Sequence, residues 1–329
     1  MFGQEAEVAD RHGCRVAAVV LNWNGWVDTL ACLDSLERLT SPCRVLVVDN
    51  GSTDGSVQKI RSARPDAELH VLDRNLGFGR GVNEGIRAVV AAGWRPEFIW
   101  VLNNDTTPAS DSLARMLATA DADPRIGVVG SVLVDSDGSD RVQAWGGGDV
   151  NPWLGTTRSF SSSHGQDPQY LTGASMLVRS AVLNAIGGFD ERYFFYLEDT
   201  DFSCRVREAG WRLAVADGAV VRHRRGASVD ADDQSRSMRS DMHYARSSAI
   251  FLASRAPRAV LPFALIVRLG AIVGRRGLRR QVGRVPAMVA AFAGGIRAGL
   301  RRPEIPTFQV TQAASRSLTT NAPEETLKP

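Results

Sequence analysis

Lysine is almost missing from this 329-residue chain: Lys59 and Lys328 are the only two, and arginine supplies nearly all the positive charge. That imbalance reads as genomic composition before function. The formal net charge is only +3, so the chain is not a polycation and no nucleic-acid partner is expected. Cysteine is sparse as well. Cys14, Cys32, Cys43 and Cys204 form no C-x-x-C pair, which argues against a zinc site or a disulfide framework and suits a reducing, cytoplasmic compartment. No stretch reaches the roughly 18 apolar residues that a membrane span needs; the longest candidates are 259–267 and 285–296. The first residues carry Glu5, Glu7 and Asp10 without an apolar run, so no secretory leader is expected. No serine sits in a G-x-S-x-G elbow, which leaves a hydrolase triad without support. No internal repeat is visible.

What is present is enough for a large core: 44% of the residues are apolar and 23% charged, ample for one large domain or two smaller ones. Residues 16–130 alternate between short apolar runs and helical patterns. Strands are expected at 16–21, 44–48, 68–72, 98–102 and 126–134, and helices at 29–39, 81–92 and 110–120. Such alternation implies an α/β fold with a mainly parallel sheet covered by helices on both faces. Residues 135–170, rich in Gly, Ser and Asp around Trp145, read as a mobile loop or hairpin excursion. A strand is expected at 174–178, a helix at 199–208, and two short strands at 212–215 and 219–222. Residues 255–302 hold eleven arginines and neither Asp nor Glu, and Pro257, Pro262 and Pro286 should break them into short helices.

Polar residues gather where the strands end. In open α/β sheets that edge forms the ligand crevice. Asp49 ends a buried run and could accept hydrogen bonds from a nucleobase or a ribose; a carboxylate placed there needs partners. Ser52 to Asp54 fit a helix cap as well. Asn103-Asn104-Asp105 ends another strand, and Asp105 suits a Mg²⁺ or Mn²⁺ holding a diphosphate, or else a turn before Pro108. Asn75-Leu76-Gly77-Phe78-Gly79-Arg80-Gly81 lacks the third glycine of a dinucleotide fingerprint, where Val82 stands; it reads as a tight turn, with Asn83 on the following helix. Glu198, Asp199 and Asp201 crowd three carboxylates among Phe194, Phe195, Tyr196 and Phe202. Such crowding raises a carboxylate pKa toward that of a general base, although an acidic helix start complements the dipole too. Asp201 fits an i,i+4 pair with Arg205. His223, flanked by Arg222, Arg224 and Arg225, suits a metal ligand beside phosphate-binding arginines. His12, His70, His164 and His243 have no comparable setting.

Taken in order, these segments resemble the family 2 glycosyltransferases with a GT-A fold. The resemblance rests on eight motifs across residues 15–228: Val19-Val20-Leu21-Asn22-Trp23-Asn24, Val48-Asp49-Asn50-Gly51-Ser52-Thr53-Asp54, Asn75-Leu76-Gly77-Phe78-Gly79, Leu102-Asn103-Asn104-Asp105-Thr106, Leu171-Thr172-Gly173-Ala174, Gly187-Gly188-Phe189-Asp190-Glu191, Glu198-Asp199-Thr200-Asp201 and Val221-Arg222-His223. Asn50, with Phe195 shortly before Glu198-Asp199, is most similar to the rhamnosyltransferase-like branch. The resemblance implies inverting transfer from a nucleotide-diphosphate sugar, dTDP-rhamnose or a UDP-sugar, assisted by Mg²⁺ or Mn²⁺. It implies nucleotide contacts from Asn22, Asp49 and Asn83, with Asn24, Asn50, Asp54, Asn75, Gly77 and Asn104 also on the donor side. Asp105 would ligate the metal, and His223 would ligate it or contact the diphosphate. Thr172, Gly173 and Glu198 would line the sugar and acceptor side, and Asp199 falls at the general base. One departure is that the usual D-x-D metal motif is Asn103-Asn104-Asp105 here, with one carboxylate.

The expected organisation is a tail at 1–14, a GT-A domain at 15–250, a basic helical extension at 251–305 and a disordered tail at 306–329. The acceptor implied is a lipid-linked or cell-envelope glycan, or a soluble natural product. The arginine-rich segment 255–302 then binds the inner membrane face peripherally, at on the order of 1 kcal/mol per arginine, or packs on the catalytic domain, or pairs with a second subunit as a homodimer. A non-catalytic nucleotide-sugar sensor is the alternative from the binding class. A nucleotidyltransferase is disfavoured, because Asn22-Trp23-Asn24 stands where a Gly-rich basic phosphate loop would be.

Overall fold

In this computed structural model residues 14–163, 165, 167–224 and 233–310 are described. Residues 1–13, 164, 166, 225–232 and 311–329 lie outside the described residues, and with them His164, Arg225, nearly all of the expected N-terminal tail and most of the expected C-terminal one.

Every residue of β1 (Val16–Asn22) is buried, as a strand covered on both faces requires. The chain then runs through α1 (Trp26–Glu37), β2 (Arg44–Asp49), α2 (Ser56–Ala63), β3 (Glu68–Val71), α3 (Phe78–Ala91) and β4 (Phe98–Asn103). β1 pairs in parallel with β2 on one side and β4 on the other, and β2 with β3. The period of two along each strand feeds two cores. Val19, Leu21 and Val48 meet Val82 and Ile86 of α3 on one face; Val16, Ala18 and Val20 meet Leu33 and Leu36 of α1 on the other. Register sets Asn22 opposite Asp49 and Leu21 opposite Asn103. The polar ends therefore share one edge.

Next come β5 (Thr106–Pro108), α4 (Ser112–Ala122), β6 (Ile126–Asp135), β7 (Val142–Trp145), β8 (Gly147–Asn151), β9 (Thr156–Ser159), β10 (Tyr170–Leu171), β11 (Ser175–Arg179), α5 (Ser180–Ile186), α6 (Glu198–Glu208) and β12 (Arg212–His223). The large sheet has the order β3-β2-β1-β4-β11-β6-β12-β5, with β7 added on β6. It is more mixed than expected, because β11 runs antiparallel to both β4 and β6; an apolar run does not encode strand direction. The excursion after β6 is also more ordered than expected. It forms a small β10-β8-β9 sheet, held by backbone bonds that its Gly, Ser and Asp side chains do not advertise. The two strands expected at 212–222 are one strand, β12, with a register shift between Val215 and Val220.

The helical part begins earlier than expected. α7 (Asp233–Arg255) runs straight across residue 250, followed by α8 (Leu261–Leu278), a short 3₁₀ turn (Val282–Arg284) and α9 (Val285–Gly299). α8 and α9 are 18 and 15 residues long, not short. Pro262 and Pro286 sit in their first turns, where the missing N–H has no helical partner to lose. Ala245, Ala249, Ile272, Met288 and Phe292 form a satellite core.

Buried arginines fasten this layer to the catalytic half. Arg192 pairs with Asp190 at 2.6 Å and donates to the carbonyls of Ala298, Gly299 and Arg301 near the end of α9. Arg255 pairs with Asp201 at 2.8 Å and Glu208 at 2.6 Å. Residues 306–310, expected in a disordered tail, pack on the domain: Phe308 and Val310 are buried in the main core, and the Val310 N–H donates to Asn184 at 2.8 Å. Replacing Arg255 with methionine should destabilise the fold by about 1.5–3 kcal/mol, since charged hydrogen bonds are lost while Arg205 still holds Asp201. Urea denaturation measures this, and an unchanged midpoint would contradict the fastening role.

Candidate functional site

The strand-end edge is lined by a closed network. Asn22 donates to Asp49 at 2.7 Å and to Ser52 at 3.2 Å. Its carbonyl oxygen accepts from Thr29 at 2.9 Å and Asn104 at 3.1 Å. Asp49 also accepts the Ser52 N–H at 2.9 Å. Asn50 grips the next loop, donating to Asn75 at 3.1 Å and the Gly77 carbonyl at 3.0 Å while accepting the Leu76 N–H at 2.9 Å. Asn75 accepts the Gly77 N–H at 2.8 Å. Asn24 accepts the Thr53 N–H at 2.7 Å. Asp54 accepts the Ser56 N–H at 2.9 Å where α2 begins, the helix-start role open to it in the sequence. Asn83 is turned inward. It donates to the Phe189 carbonyl at 2.9 Å and to Glu191 at 3.2 Å, and accepts the Phe189 N–H at 3.0 Å. Both of its amide hydrogens and one lone pair of its oxygen thus serve the protein, so Asn83 staples α3 to the Gly187–Glu191 loop.

Asp105 and His223 come together because β5 pairs antiparallel with β12, placing Thr106 opposite His223. His223 Nε2 lies 3.3 Å from Asp105 Oδ1, and Nδ1 lies 2.9 Å from Gln143 Oε1. Gln143 donates its amide to Asp135 and to the His223 carbonyl, both at 2.7 Å. Its oxygen is therefore the acceptor facing the ring, and Nδ1 is the donor to it. Asp105 Oδ1 is buried and has no hydrogen-bond partner. A carboxylate oxygen and an imidazole nitrogen thus face each other at the strand-end edge, and with the imidazole neutral the two can share a cation. Carboxylate plus imidazole fits Mn²⁺ or Mg²⁺, with the imidazole favouring Mn²⁺. Among the described residues no cluster of three or more His, Cys, Asp or Glu forms, so diphosphate oxygens and water would supply the remaining ligands. Of the flanking arginines, Arg222 pairs with Asp140 at 2.6 Å and Arg224 with Asp28 at 2.9 Å, while Arg225 lies outside the described residues.

The acidic segment is delivered by strain. Tyr196 and Leu197 have φ of 73° and 65°, a left-handed pair that costs free energy in residues with a side chain. Ser247 of α7 holds the Phe195 carbonyl at 2.8 Å, and the Phe78 N–H holds that of Phe194 at 2.8 Å. Gly77 permits this approach: a Cβ there would lie 2.2 Å from the Phe194 oxygen. Asp199 accepts the Thr200 N–H at 2.6 Å and the Gly173 N–H at 2.9 Å. Burial pushes its pKa up, and those hydrogen bonds oppose the rise only in part. Glu198 is 5% exposed and its Oε2 has no partner. Burial first, then the charge of Asp199, holds it well above the usual carboxylate range. Asp201 pairs with Arg205 at 3.0 Å and Arg255 at 2.8 Å, the structural role its i,i+4 spacing suggests. The two halves of the site meet at β11. The Thr172 N–H donates to the Gly146 carbonyl at 2.9 Å, and the Asn103 N–H donates to Ala174 at 3.1 Å, one residue from the Gly173 that holds Asp199.

Sequence reasoning missed Gln143, Thr29, Ser247 and Arg255. Gln143 lies 80 residues from His223, and Ser247 lies 52 from Phe195; no local signal marks either. The perturbation of Glu198 is testable. A folded pKa raised above the unfolded value contributes stability that is fully present below the unfolded pKa and lost as pH rises through the folded one. Glu198→Gln should therefore gain melting temperature relative to the wild type as pH goes from acid to neutral. A difference in melting temperature that is the same at every pH would contradict the assignment.

An α/β sheet carries Asp105 and His223 facing each other at its strand-end edge and a buried Asp199 held by the Gly173 N–H, and comparison with known proteins identifies the class. The family model "Glycosyl transferase family 2" matches residues 18–183. The chain belongs to this family, is a glycosyltransferase, and falls in its rhamnosyltransferase-like branch. It is 33% identical over 246 residues to an N-acetylglucosaminyl-diphospho-decaprenol L-rhamnosyltransferase of Mycobacterium tuberculosis, covering 68% of this chain and 79% of that protein. A pre-mycofactocin glycosyltransferase of the same organism is 27% identical over 281 residues, which cover 84% of this chain and 56% of that one. Among solved structures, the mannosyltransferase PcManGT from Pyrobaculum calidifontis, in complex with GDP-Man and Mn²⁺, shares the fold with a TM-score of 0.53 at 17% identity, covering 86% of this chain and 87% of its own.

Proposed function

We propose that this glycosyltransferase moves a sugar, with inversion, from dTDP-rhamnose or a UDP-sugar to a hydroxyl of a lipid-linked cell-envelope glycan at the cytoplasmic membrane face. The observations that carry the reading are the facing pair Asp105 and His223 and the buried Asp199 held by the Gly173 N–H. In the reaction Asp199 accepts the proton of the acceptor hydroxyl as its oxygen bonds to the anomeric carbon. The bond to the nucleoside diphosphate breaks, and its electron pair leaves on the diphosphate. A divalent cation between Asp105, His223 and the diphosphate would neutralise the leaving group. One displacement with one base inverts the anomeric centre. Glu198, its pKa held well above the usual carboxylate range by burial and by Asp199, lines the acceptor side. The acceptor class is supported by the 33% identical relative, an N-acetylglucosaminyl-diphospho-decaprenol L-rhamnosyltransferase.

Thermal denaturation with dTDP-rhamnose and a set of UDP-sugars, each with Mn²⁺ or with EDTA, tests the donor. A donor at a hundred times its Kd should add about 2.7 kcal/mol, and only with the metal. Equal stabilisation in EDTA would favour a metal-independent sensor.

A further inference from the structure

The helical layer leaves one surface unaccounted for. α8 packs inward through Ala264, Arg268 and Ile272. Its opposite face, at i, i+3, i+7, i+11 and i+15 spacing, carries Phe263, Ile266, Gly270, Gly274 and Leu278, all exposed. Phe263 is 70% exposed, Ile266 72%, Leu278 89%, and Val282 in the next turn 65%. No charged side chain interrupts this stripe. Arg275 and Arg279 follow Arg268 and Ile272 at i+7, on the packed side of α8 but beyond its contacts, and they are exposed together with Arg280 past the helix end and Arg258 before its start. None of the four makes an ion pair among the described residues, whereas Arg276 and Arg284 turn inward onto Asp241. From residue 256 to 303 the sequence has no acid.

We infer that this outer face of α8, with the 3₁₀ turn that follows it, is the surface on which the enzyme docks to an anionic lipid bilayer. This rests on the membrane-linked acceptor proposed above. A helix that is apolar on both its packed and its outer face needs an apolar partner on each. Among the described residues no helix is long and apolar enough to cross a membrane, so the face would lie in the interface plane. Phe263, Ile266, Leu278 and Val282 enter the acyl boundary, and the arginines meet headgroup phosphates. A second copy of the chain is the poorer occupant. A two-fold contact through this stripe would bring the arginine clusters of both copies to one seam with no carboxylate to offset them. α8 is tied back toward the catalytic loop, since Arg268 donates to Tyr244, whose ring meets Tyr196 edge-on two residues before Glu198. Docking would thus hold the acceptor side of the site near the bilayer.

Flotation of the full chain with phosphatidylcholine vesicles, with and without phosphatidylglycerol, tests this. The wild type should float only with the anionic vesicles. Phe263→Glu with Ile266→Glu, and separately Arg275→Gln, Arg279→Gln and Arg280→Gln together, should each lower the bound fraction at least tenfold, an arginine being worth on the order of fivefold. Because all five side chains are exposed, both variants should keep donor-dependent thermal stabilisation. Unchanged flotation in both variants would overturn the inference. So would a wild-type dimer in light scattering that Phe263→Glu/Ile266→Glu converts to monomer without any vesicle binding. A wild type that transfers sugar but does not float defeats the docking surface alone; one that floats but transfers nothing defeats the proposed activity alone.

Discussion

Asp199→Asn should lower sugar transfer by about 10²–10⁴-fold, the range for losing a positioned general base, while donor affinity stays close to that of the wild type. The substitution keeps shape. Its amide oxygen can still accept one of the two N–H groups, from Gly173 or Thr200, that now point at the carboxylate. The same carboxylate should control pH dependence. Burial raises its pKa, so transfer should be lost as pH falls through that raised value, at a higher pH than for an exposed aspartate. Single-turnover transfer and donor titration, run on wild type and variant, separate the two effects. Near-normal turnover in Asp199→Asn would remove the base from this position.

Asp105→Asn should abolish the response to metal in both stability and activity. Asp105 Oδ1 is buried and lies 3.3 Å from Nε2 of His223. An asparagine keeps the shape of the side chain and removes its charge. The added stability that donor gains in Mn²⁺ over EDTA should be lost in the variant. With donor and Mn²⁺ present, it should lose several kcal/mol of charge stabilisation at the leaving diphosphate, roughly 10²–10³-fold in kcat/KM. Melting curves with donor in EDTA and in Mn²⁺, and steady-state rates in Mn²⁺, measure the two effects. A variant that keeps the added stability in Mn²⁺ and is equally active there would mean that Asp105 is no ligand.

Much of this arrangement was legible because the strands that build the edge are buried on both faces. β1, β2 and β4 read as apolar runs that end in Asn22, Asp49 and Asn103, and register then brings those ends to one edge. The α6 carboxylates read as a cluster, and Asp201 with Arg205 read as a helical pair. Three things were hidden, each for a physical reason. The small β10-β8-β9 sheet is stabilised by backbone pairing of residues such as Gly147 and Gly148, whose side chains carry no period. α7 is rich in Ser, Arg and Asp over its first turns, and its register comes from packing on α9 and from Arg255 reaching Asp201. The duties of the polar residues at the edge were hidden too. Asn22, Asp49, Asn50, Asn83 and Asn104 were all expected on the donor, yet their hydrogen bonds close on one another and on loop backbone, across 25 to 106 residues of sequence. These internal bonds fix how the side chains are oriented at the edge, which the spacing of residue types alone does not show.

The anomeric configuration of the product, read by NMR from a reaction with a donor of known configuration, tests the central claim most directly. A single displacement driven by Asp199 requires the product to have the configuration opposite to the donor. Retention would require a covalent or double-displacement route and would contradict the one-base account.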